Sequence, residues 1–267
     1  MILSAGSLAY DYLYTFPGVF QDSLLAESTG NLSVAFGVTE KTVNYGGCAG
    51  NIAFNAKLLK KDFVLLGIAG RDFGEYKTWL ERYGISTKYV INETGEYTSQ
   101  ATVVTDRKGQ QITFFHPGAS AKSKLHVSQI KKTVRAHKPY LDLAIVSPND
   151  KAFMMASMDG CKDVGIPYFF DPGQAMPAFN KKELVAALKH AVGVFLNEYE
   201  FSMMQKLTEL NKKELLKMCQ LFIVTLGEKG SVIYFKGKEI TIKPVKAKIV
   251  KDPTGCGDAY RAGFLIG

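Results

Sequence analysis

The chain has 267 residues, of which 46% are hydrophobic and 22% charged, so it can bury a sizeable core in one large domain with an appendage or in two small domains. Its formal charge of +8 comes from lysines scattered in short pairs on amphipathic segments, which favours solvated helix faces over a nucleic-acid-binding stripe. Four widely spaced cysteines, no basic leader and no apolar stretch near the roughly 20 residues of a membrane span predict a cytoplasmic protein without nucleic-acid or membrane partners.

The N-terminal half combines apolar strands with polar excursions. The run "MILSAGSLAYDYLY" predicts a buried strand that ends near Asp11, and "GGCAGNIAFNAKLL" predicts a helix that opens with Gly46 and Gly47. The segment "TSQATVVTDRKGQQITFF" predicts a hairpin around its "DRKGQ" turn. We expect residues 12–45 and 97–118 to pair as one small β-sheet lid.

From residue 127 onward, apolar strands alternate regularly with helical segments. This alternation predicts a parallel sheet covered by helices on both faces. A hairpin around Lys236, Gly237 and Lys238 interrupts the rhythm near the end. The sequence therefore predicts a single α/β domain over residues 1–267, with the lid as a small β-rich appendage.

The stretch "DPTGCGDAYRAGF" concentrates backbone freedom and negative charge at the start of a predicted helix. Gly255 and Gly257 flank Cys256, and free N–H groups at a helix start form a site for an anion. Asp258 falls in the first turn, where it either complements the helix dipole or acts as a general base beside the anion. Arg261 lies on the same helix face and either pairs with Asp258 or reaches a transferring phosphate.

A second group of polar residues lies near the predicted ends of N-terminal strands. Gly46 and Gly47 either bring backbone close to a polyol or serve helix packing, and Asn51 can donate to and accept from hydroxyls. Asp11 either caps a turn or accepts hydrogen bonds from vicinal hydroxyls of a sugar.

A third group follows the C-terminal strands. Asn197 and Glu200, in "NEYE", offer either oxygen ligands suited to Mg²⁺ or a helix capping box. The glycine-rich loop of Thr225, Gly227 and Gly230 either cradles nucleotide phosphates or only connects two strands. No Walker A sequence occurs, so a P-loop is excluded.

In combination, these segments resemble the ribokinase-like (PfkB) family of small-molecule kinases across essentially the whole chain. "DPTGCGDAYRAGF" is similar to its C-terminal signature and "GGCAGNIAFNAKLL" to its N-terminal signature, while "GIAGRDFG", "LNEYE" and "VTLGEKGS" match other recurring segments in the expected order. The segments "QITFFHPGA", "FFDPGQ" and "GDAYRAGF" are most similar to microbial nucleoside kinases of the adenosine-kinase type.

The resemblance implies a three-layer α/β/α sandwich with a small β lid, and an ATP- and Mg²⁺-dependent transfer of phosphate to the 5′-hydroxyl of an adenosine-like nucleoside. Asp258 would be the general base, and the N–H groups of Gly255, Cys256 and Gly257 would form the anion hole. Family members often dimerise through their lids, so a homodimer through the lid is a further expectation.

The resemblance also assigns the binding residues. Asp11, Gly47 and Asn51 would hold the ribose hydroxyls, while Phe114 and Phe115 in the lid would contact the base or belong to the core of the lid. The remaining assignments concern the phosphate donor. Asn197 and Glu200 would organise Mg²⁺ through water. The loop that comprises Thr225, Gly227 and Gly230 would line the ATP phosphates and ribose.

Two departures from the family pattern leave alternatives open. Cys256 stands where the family usually has Ala, and family members usually continue for some tens of residues past this motif, which implies that the C-terminal part of the family fold is missing here. The alternatives are a sugar kinase of the same family, acting on ribose- or fructose-like substrates, and a catalytically impaired nucleoside-binding protein.

Overall fold

The computed structural model of the chain describes residues 1–23, 34–247 and 255–267. Residues 24–33 of the expected lid, and the "DPT" of the "DPTGCGD" motif, therefore lie outside the described residues.

Fourteen strands fall within the described ranges. In chain order they are β1 (Ile2–Ala5), β2 (Ala9–Thr15), β3 (Glu40–Gly46), β4 (Phe63–Leu66), β5 (Ile68–Gly70), β6 (Ile91–Glu93), β7 (Ser99–Thr105), β8 (Gln111–His116), β9 (Leu143–Val146), β10 (Tyr168–Phe170), β11 (Gly193–Asn197), β12 (Leu221–Thr225), β13 (Ser231–Phe235) and β14 (Lys238–Ile242).

Nine α-helices fall within the same ranges, together with three short 3₁₀ segments. The α-helices are α1 (Phe20–Ser23), α2 (Cys48–Leu58), α3 (Gly74–Arg82), α4 (Val127–Ala136), α5 (Lys151–Val164), α6 (Lys181–His190), α7 (Glu198–Thr208), α8 (Lys212–Leu215) and α9 (Cys256–Ile266).

The main sheet has eight strands in the order β14-β13-β12-β11-β10-β9-β1-β4. The pairs from β4 to β12 are parallel, whereas β13 and β14 are antiparallel edge strands. The hairpin around residues 236–238 is confirmed. Lys236 and Gly237 both have positive φ angles, of 49° and 77°, as a two-residue turn with the right-handed strand twist requires.

Helices cover both faces of the main sheet because its strands are apolar on both sides. In β11, Val194 and Leu196 belong to one hydrophobic cluster, with side chains of α4 to α7, while Phe195 belongs to the other, with side chains of α2, α3 and α9. The other parallel strands divide their side chains in the same way. This alternation produces three layers, as the continuous apolar strands predicted.

The lid is a separate four-stranded sheet in the order β3-β2-β7-β8. The strands β2 and β7 run parallel, and each pairs with an antiparallel outer strand. The hairpin between β7 and β8 is closed by Asp106, whose Oδ1 accepts from the N–H groups of Lys108 and Gln110 at 2.8 and 2.9 Å.

The prediction that the first strand runs to Asp11 was wrong. The strand β1 ends at Ala5, and the chain then leaves the main sheet to enter the lid as β2, in which Asp11 is the third residue. The apolar pattern continues across this break because Leu8, Ala9 and Tyr10 are also buried. Asp11 therefore reaches the site from the lid and not from the edge of the main sheet.

Candidate active site

The last helix, α9, begins beside the carboxyl edge of the main sheet. Gly255 is its N-cap residue with a φ of 75°, a conformation that favours glycine, and among the described residues no side chain caps the helix start. The N–H groups of the first turn are therefore open to an anion, which the helix dipole also attracts. A Cβ on Gly255 would make an ordinary van der Waals contact with Asn51 Nδ2 at 3.6 Å, so the positive φ and not crowding favours glycine here.

Asp258 is the third residue of α9, and a residue of the helix α2 holds its side chain. Asn51 Nδ2 donates to Asp258 Oδ2 at 2.8 Å, a contact between residues 207 positions apart in sequence. Burial raises the pKa of the Asp258 carboxyl from its ordinary value of 3.8 to about 6, although the hydrogen bond from Asn51 lowers it. A carboxyl with this pKa can accept a proton near neutral pH and release it again.

Arg261 pairs with Asp171, which settles the question that its position in the helix left open. Its Nε and Nη2 both donate to the Asp171 carboxylate, with a distance of 2.7 Å from Nη2 to Oδ1. Asp171 is fully buried at the end of β10, and Arg261 is 8% exposed. This bidentate ion pair connects α9 to the end of β10. Arg261 therefore does not pair with Asp258, which bonds to Asn51 instead.

The Gly46–Gly47 pair brings backbone close to Asp11. A Cβ on Gly46 would lie 2.4 Å from Asp11 Oδ2, and a Cβ on Gly47 would lie 2.5 Å from the carbonyl oxygen of Ser7. Gly47 also has a φ of 85° as the N-cap of α2. Tyr76, fully buried, donates its hydroxyl to the carbonyl of Gly46 at 2.8 Å and so fixes this peptide.

These residues meet around one cavity of about 680 Å³ between the main sheet and the lid. Its wall includes six of the residues predicted from the sequence, which are Asp11, Gly47, Asn51, Phe115, Gly255 and Asp258. Of the two lid aromatics, Phe115 lines this cavity and Phe114 does not, because consecutive residues of β8 point to opposite faces. Both rings are 66% exposed, so neither belongs to a buried lid core.

Asn197 and Glu200 form a helix capping box at the start of α7. Asn197 Oδ1 accepts from the N–H of Glu200 at 2.8 Å, and Glu200 Oε2 accepts from the N–H of Asn197 at 2.7 Å. Burial raises the pKa of Glu200, and Asp171 adds to this shift. The capping interpretation is therefore confirmed, while Glu200 Oε1 takes no part in these two bonds.

The loop after β12 carries the remaining predicted residues. Thr225 Oγ1 donates to the carbonyl of Leu196 at 3.4 Å. Gly230 has a φ of 92°, and a Cβ there would lie 2.1 Å from the carbonyl oxygen of Ile242, so the neighbouring strand requires this glycine. A Cβ on Gly227 would meet open space, although its φ of 60° still favours glycine. None of the three lines the 680 Å³ cavity.

The structure adds cavity residues that the sequence interpretation passed over. Asn149 and Gln174 both line the cavity, after β9 and β10 respectively. Asn149 Oδ1 accepts from the N–H of Asp150 at 2.7 Å, and its buried Nδ2 has no hydrogen-bond partner among the described residues. Their signal was available, because "SPND" and "DPGQ" directly follow strands of the parallel sheet, where ligands bind.

Comparisons with known proteins agree with this geometry. The pfkB family of carbohydrate kinases matches residues 26–267. A nucleoside kinase of Methanocaldococcus jannaschii is 35% identical over 225 residues, which cover 83% of this chain and 71% of that protein. The solved structure of a Burkholderia thailandensis nucleoside kinase in complex with inosine superposes with a TM-score of 0.84 at 35% identity, covering 99% of this chain and 83% of that one. The same kinase in complex with ADP-inosine gives a TM-score of 0.82 at 34% identity, covering 99% and 81%.

The fold and these similarities define the class as a ribokinase-like phosphotransferase with an alcohol group as acceptor. The chain belongs to the pfkB family of carbohydrate kinases. None of the helices in the described ranges has the length and apolarity that crossing a membrane requires.

Proposed function

We propose that this protein is an ATP-dependent nucleoside kinase that phosphorylates the 5′-hydroxyl of an adenosine-like purine nucleoside. The observation that carries the proposal is the contact between Asn51 and Asp258, because it joins a hydroxyl-binding group to a base beside an open helix start. The names of the relatives support it, since a nucleoside kinase of similar sequence was solved with inosine, a purine nucleoside.

In this proposal, the nucleoside lies in the 680 Å³ cavity with its ribose toward the glycine pair. Asp11 and Asn51 bind the ribose hydroxyls, and the backbone at Gly47 permits the close approach. The wall beyond the ribose, which includes Phe115 and Asn149, remains for the base. An aromatic ring and an amide donor suit the face and edge of a heterocycle.

Asp258 takes the proton of the 5′-hydroxyl as its oxygen forms a bond to the γ-phosphorus of ATP and the bond from that phosphorus to the β-phosphate oxygen breaks. The N–H groups of Gly255, Cys256 and Gly257 hold the charge on the transferring phosphoryl group. Only the backbone of Cys256 is used, so a thiol in place of a methyl group is compatible with this role.

A magnesium ion would supply charge neutralisation on the ATP phosphates. Within the described residues, no group of three or more His, Cys, Asp or Glu side chains could hold a metal ion alone. Glu200 and Asn197 are oxygen donors of the type that Mg²⁺ takes through water, so the donor set fits an ion carried mainly by phosphates. We assign Thr225, Gly227 and Gly230 to the ATP side of the site.

The test is a panel of acceptors with ATP and Mg²⁺, comparing adenosine, inosine, cytidine, ribose and fructose by the rate of ADP release. We expect the purine nucleosides to give the highest kcat/KM. Turnover of ribose or fructose without turnover of nucleosides would replace the proposal with a sugar kinase. Calorimetric binding of a nucleoside without any phosphate transfer would instead indicate a binding protein.

A further inference from the structure

A cleft of about 530 Å³ lies between the segment after α7 and the β13–β14 hairpin, outside the candidate active site. Its wall is rich in lysine and carries a single carboxylate. The charged residues that line it are Lys212, Lys213, Lys217, Lys236, Lys238 and Glu239.

The cleft lies at the opposite edge of the sheet from the active site. The strand β13 runs antiparallel to β12, and Leu221, the first residue of β12, pairs with Phe235, the last residue of β13. The hairpin turn that follows Phe235 is therefore at the amino edge of the parallel strands, whereas Asp171 lies just beyond the carboxyl edge. A ligand of this cleft cannot share the catalytic groups.

The cleft holds a large share of the positive charge of the chain. Five lysines and one carboxylate leave a formal charge of +4 here, compared with +8 for the whole sequence. Lys212 Nζ lies 3.6 Å from Glu239 Oε2 and donates to the Tyr234 hydroxyl at 3.1 Å. Among the described residues, the other four lysines make no ion pair with a carboxylate, so an anion that enters the cleft would offset their mutual repulsion.

The turn itself contains a lysine where local conformation disfavours one. Lys236 has a φ of 49°, in the left-handed region where Asn or Gly is preferred in such a hairpin. A residue with a Cβ is disfavoured in that region because the Cβ crowds the following carbonyl oxygen. Lys236 is exposed, and its ammonium group lies 5.1 Å from the centre of the Phe235 ring, so the turn presents this charge at the mouth of the cleft.

We propose that this lysine-lined cleft is a second ligand site, which binds a small polyphosphate anion. Ammonium groups bind phosphate oxygens as point charges, and several of them around one cleft match a chain of phosphates better than a single carboxylate ligand. The proposal assigns no role to a nucleobase, because the ring of Tyr234, which lines the cleft, already has two partners. The Lys212 ammonium lies 4.6 Å from the centre of that ring, and Phe201 stacks on it at 6.2 Å.

The experiment uses inorganic tripolyphosphate and ¹⁵N-labelled protein, so that the amides of each site report separately. We expect tripolyphosphate to shift the amides of residues 212–217 and 236–239. The triple variant Lys213→Gln, Lys236→Asn, Lys238→Gln should weaken this binding by roughly tenfold or more, since each exposed charge pair contributes up to about 1 kcal/mol. Raising the salt concentration should weaken it as well.

The matched control removes the same charge elsewhere through Lys60→Asn, Lys132→Gln and Lys182→Gln. Lys60 also has a positive φ, of 61°, so both triple variants relax one left-handed lysine. Equal losses of binding in the two variants would overturn the proposal, because they would show attraction to net charge alone. Shifts confined to residues 255–258 would overturn it too.

A second arm replaces tripolyphosphate with ATP and follows the same cleft amides. If the cleft variant weakens ATP binding by the same factor as tripolyphosphate binding, the result supports recognition of the phosphate chain. Cleft shifts seen with ATP and absent with tripolyphosphate would contradict an anion site. None of these readouts depends on kinase activity, so they stand apart from the proposed function.

Discussion

The two halves of the active-site cavity are built in different ways. The main-sheet half is anchored in the core, with Asp258 on a helix that the Arg261–Asp171 pair ties to a buried strand. The lid half is a four-stranded sheet whose outer strand, β8, is largely exposed, with Phe115 66% exposed at the cavity wall. The proposed general base, with its raised pKa, is in the first half, and the proposed ligand contacts Asp11 and Phe115 are in the second.

Because of this difference, we expect substitutions in the two halves to affect different measured quantities. A change in the main-sheet half removes a buried group, so it should alter kcat or the free energy of unfolding. A change in the lid half should alter mainly the KM for the acceptor, because an exposed sheet contributes less to the core and more to enclosing the ligand.

The largest expected effect is that of Asp258→Asn. Without the base, the 5′-hydroxyl keeps its proton, so kcat should fall by roughly 10²- to 10⁴-fold while the dissociation constant of the nucleoside changes little. The measurement is steady-state kinetics combined with calorimetry. The control is Asp62→Asn, a carboxylate in an exposed pair with Lys57. A kcat within a few-fold of the wild type would remove Asp258 from the role of base.

The next effect concerns Asp171, the buried partner of Arg261. Asp171→Asn leaves the guanidinium without its counter-ion in the core, which should lower the free energy of unfolding by about 3–5 kcal/mol. The matched control is Asp163→Asn, which breaks the exposed pair with Arg135 and should cost less than about 1 kcal/mol. Urea denaturation measures both, and equal losses would mean that the buried pair does not anchor α9.

The pH dependence of the rate should reflect the raised pKa of Asp258. Because the base must be deprotonated to act, kcat/KM should fall about tenfold for each pH unit below about 6, where the carboxyl titrates. Initial rates from pH 4.5 to pH 8, in buffers of constant ionic strength, provide the profile. A kcat/KM that stays level from pH 8 down to pH 4.5 would indicate an unshifted carboxyl and contradict the burial argument.

The raised pKa of Asp258 also makes the free energy of unfolding depend on pH, and this effect is smaller than the effect on the rate. The folded carboxyl has a pKa of about 6 against 3.8 unfolded, so its contribution is fully present below pH 4 and is lost as the pH rises through 6. Asp258→Asn should therefore be more stable than the wild type at pH 7, by about 3 kcal/mol, with no such gain at pH 4. Denaturation at the two pH values tests this, and a gain that does not change with pH would contradict it.

The sequence predicted the main sheet and six of the residues that line the cavity, for reasons visible at particular positions. Continuous apolar strands and glycines before helices are local signals that left the roles of Gly47 and Asn51 open. The resemblance to the PfkB family supplied the assignments of both residues and of Asp258. The partner of Arg261 was not predictable, because Asp171 lies 90 positions away in the sequence. The two side chains form their ion pair only when α9 packs on the main sheet. The strand break before Asp11 was missed because burial continues through Leu8 to Tyr10 and hides the exit from the main sheet.

The smallest expected effect tests the lid through Asp72, which lies between the two halves. Asp72 Oδ1 accepts from the N–H of Thr98 at 2.7 Å, and its carbonyl accepts from the Tyr10 hydroxyl at 2.8 Å, so the bases of β2 and β7 are tied to one residue. Asp72→Ala removes only the side-chain bond, worth about 1 kcal/mol. We expect the acceptor KM to rise a few-fold with kcat nearly unchanged, as measured by steady-state kinetics.

The control is Asp106→Ala, which opens the far hairpin of the lid and leaves its base attached. If Asp106→Ala raised KM as much as Asp72→Ala, or if Asp72→Ala lowered kcat alone, lid attachment at Asp72 would not control acceptor binding, and the two halves would have to be treated as one unit.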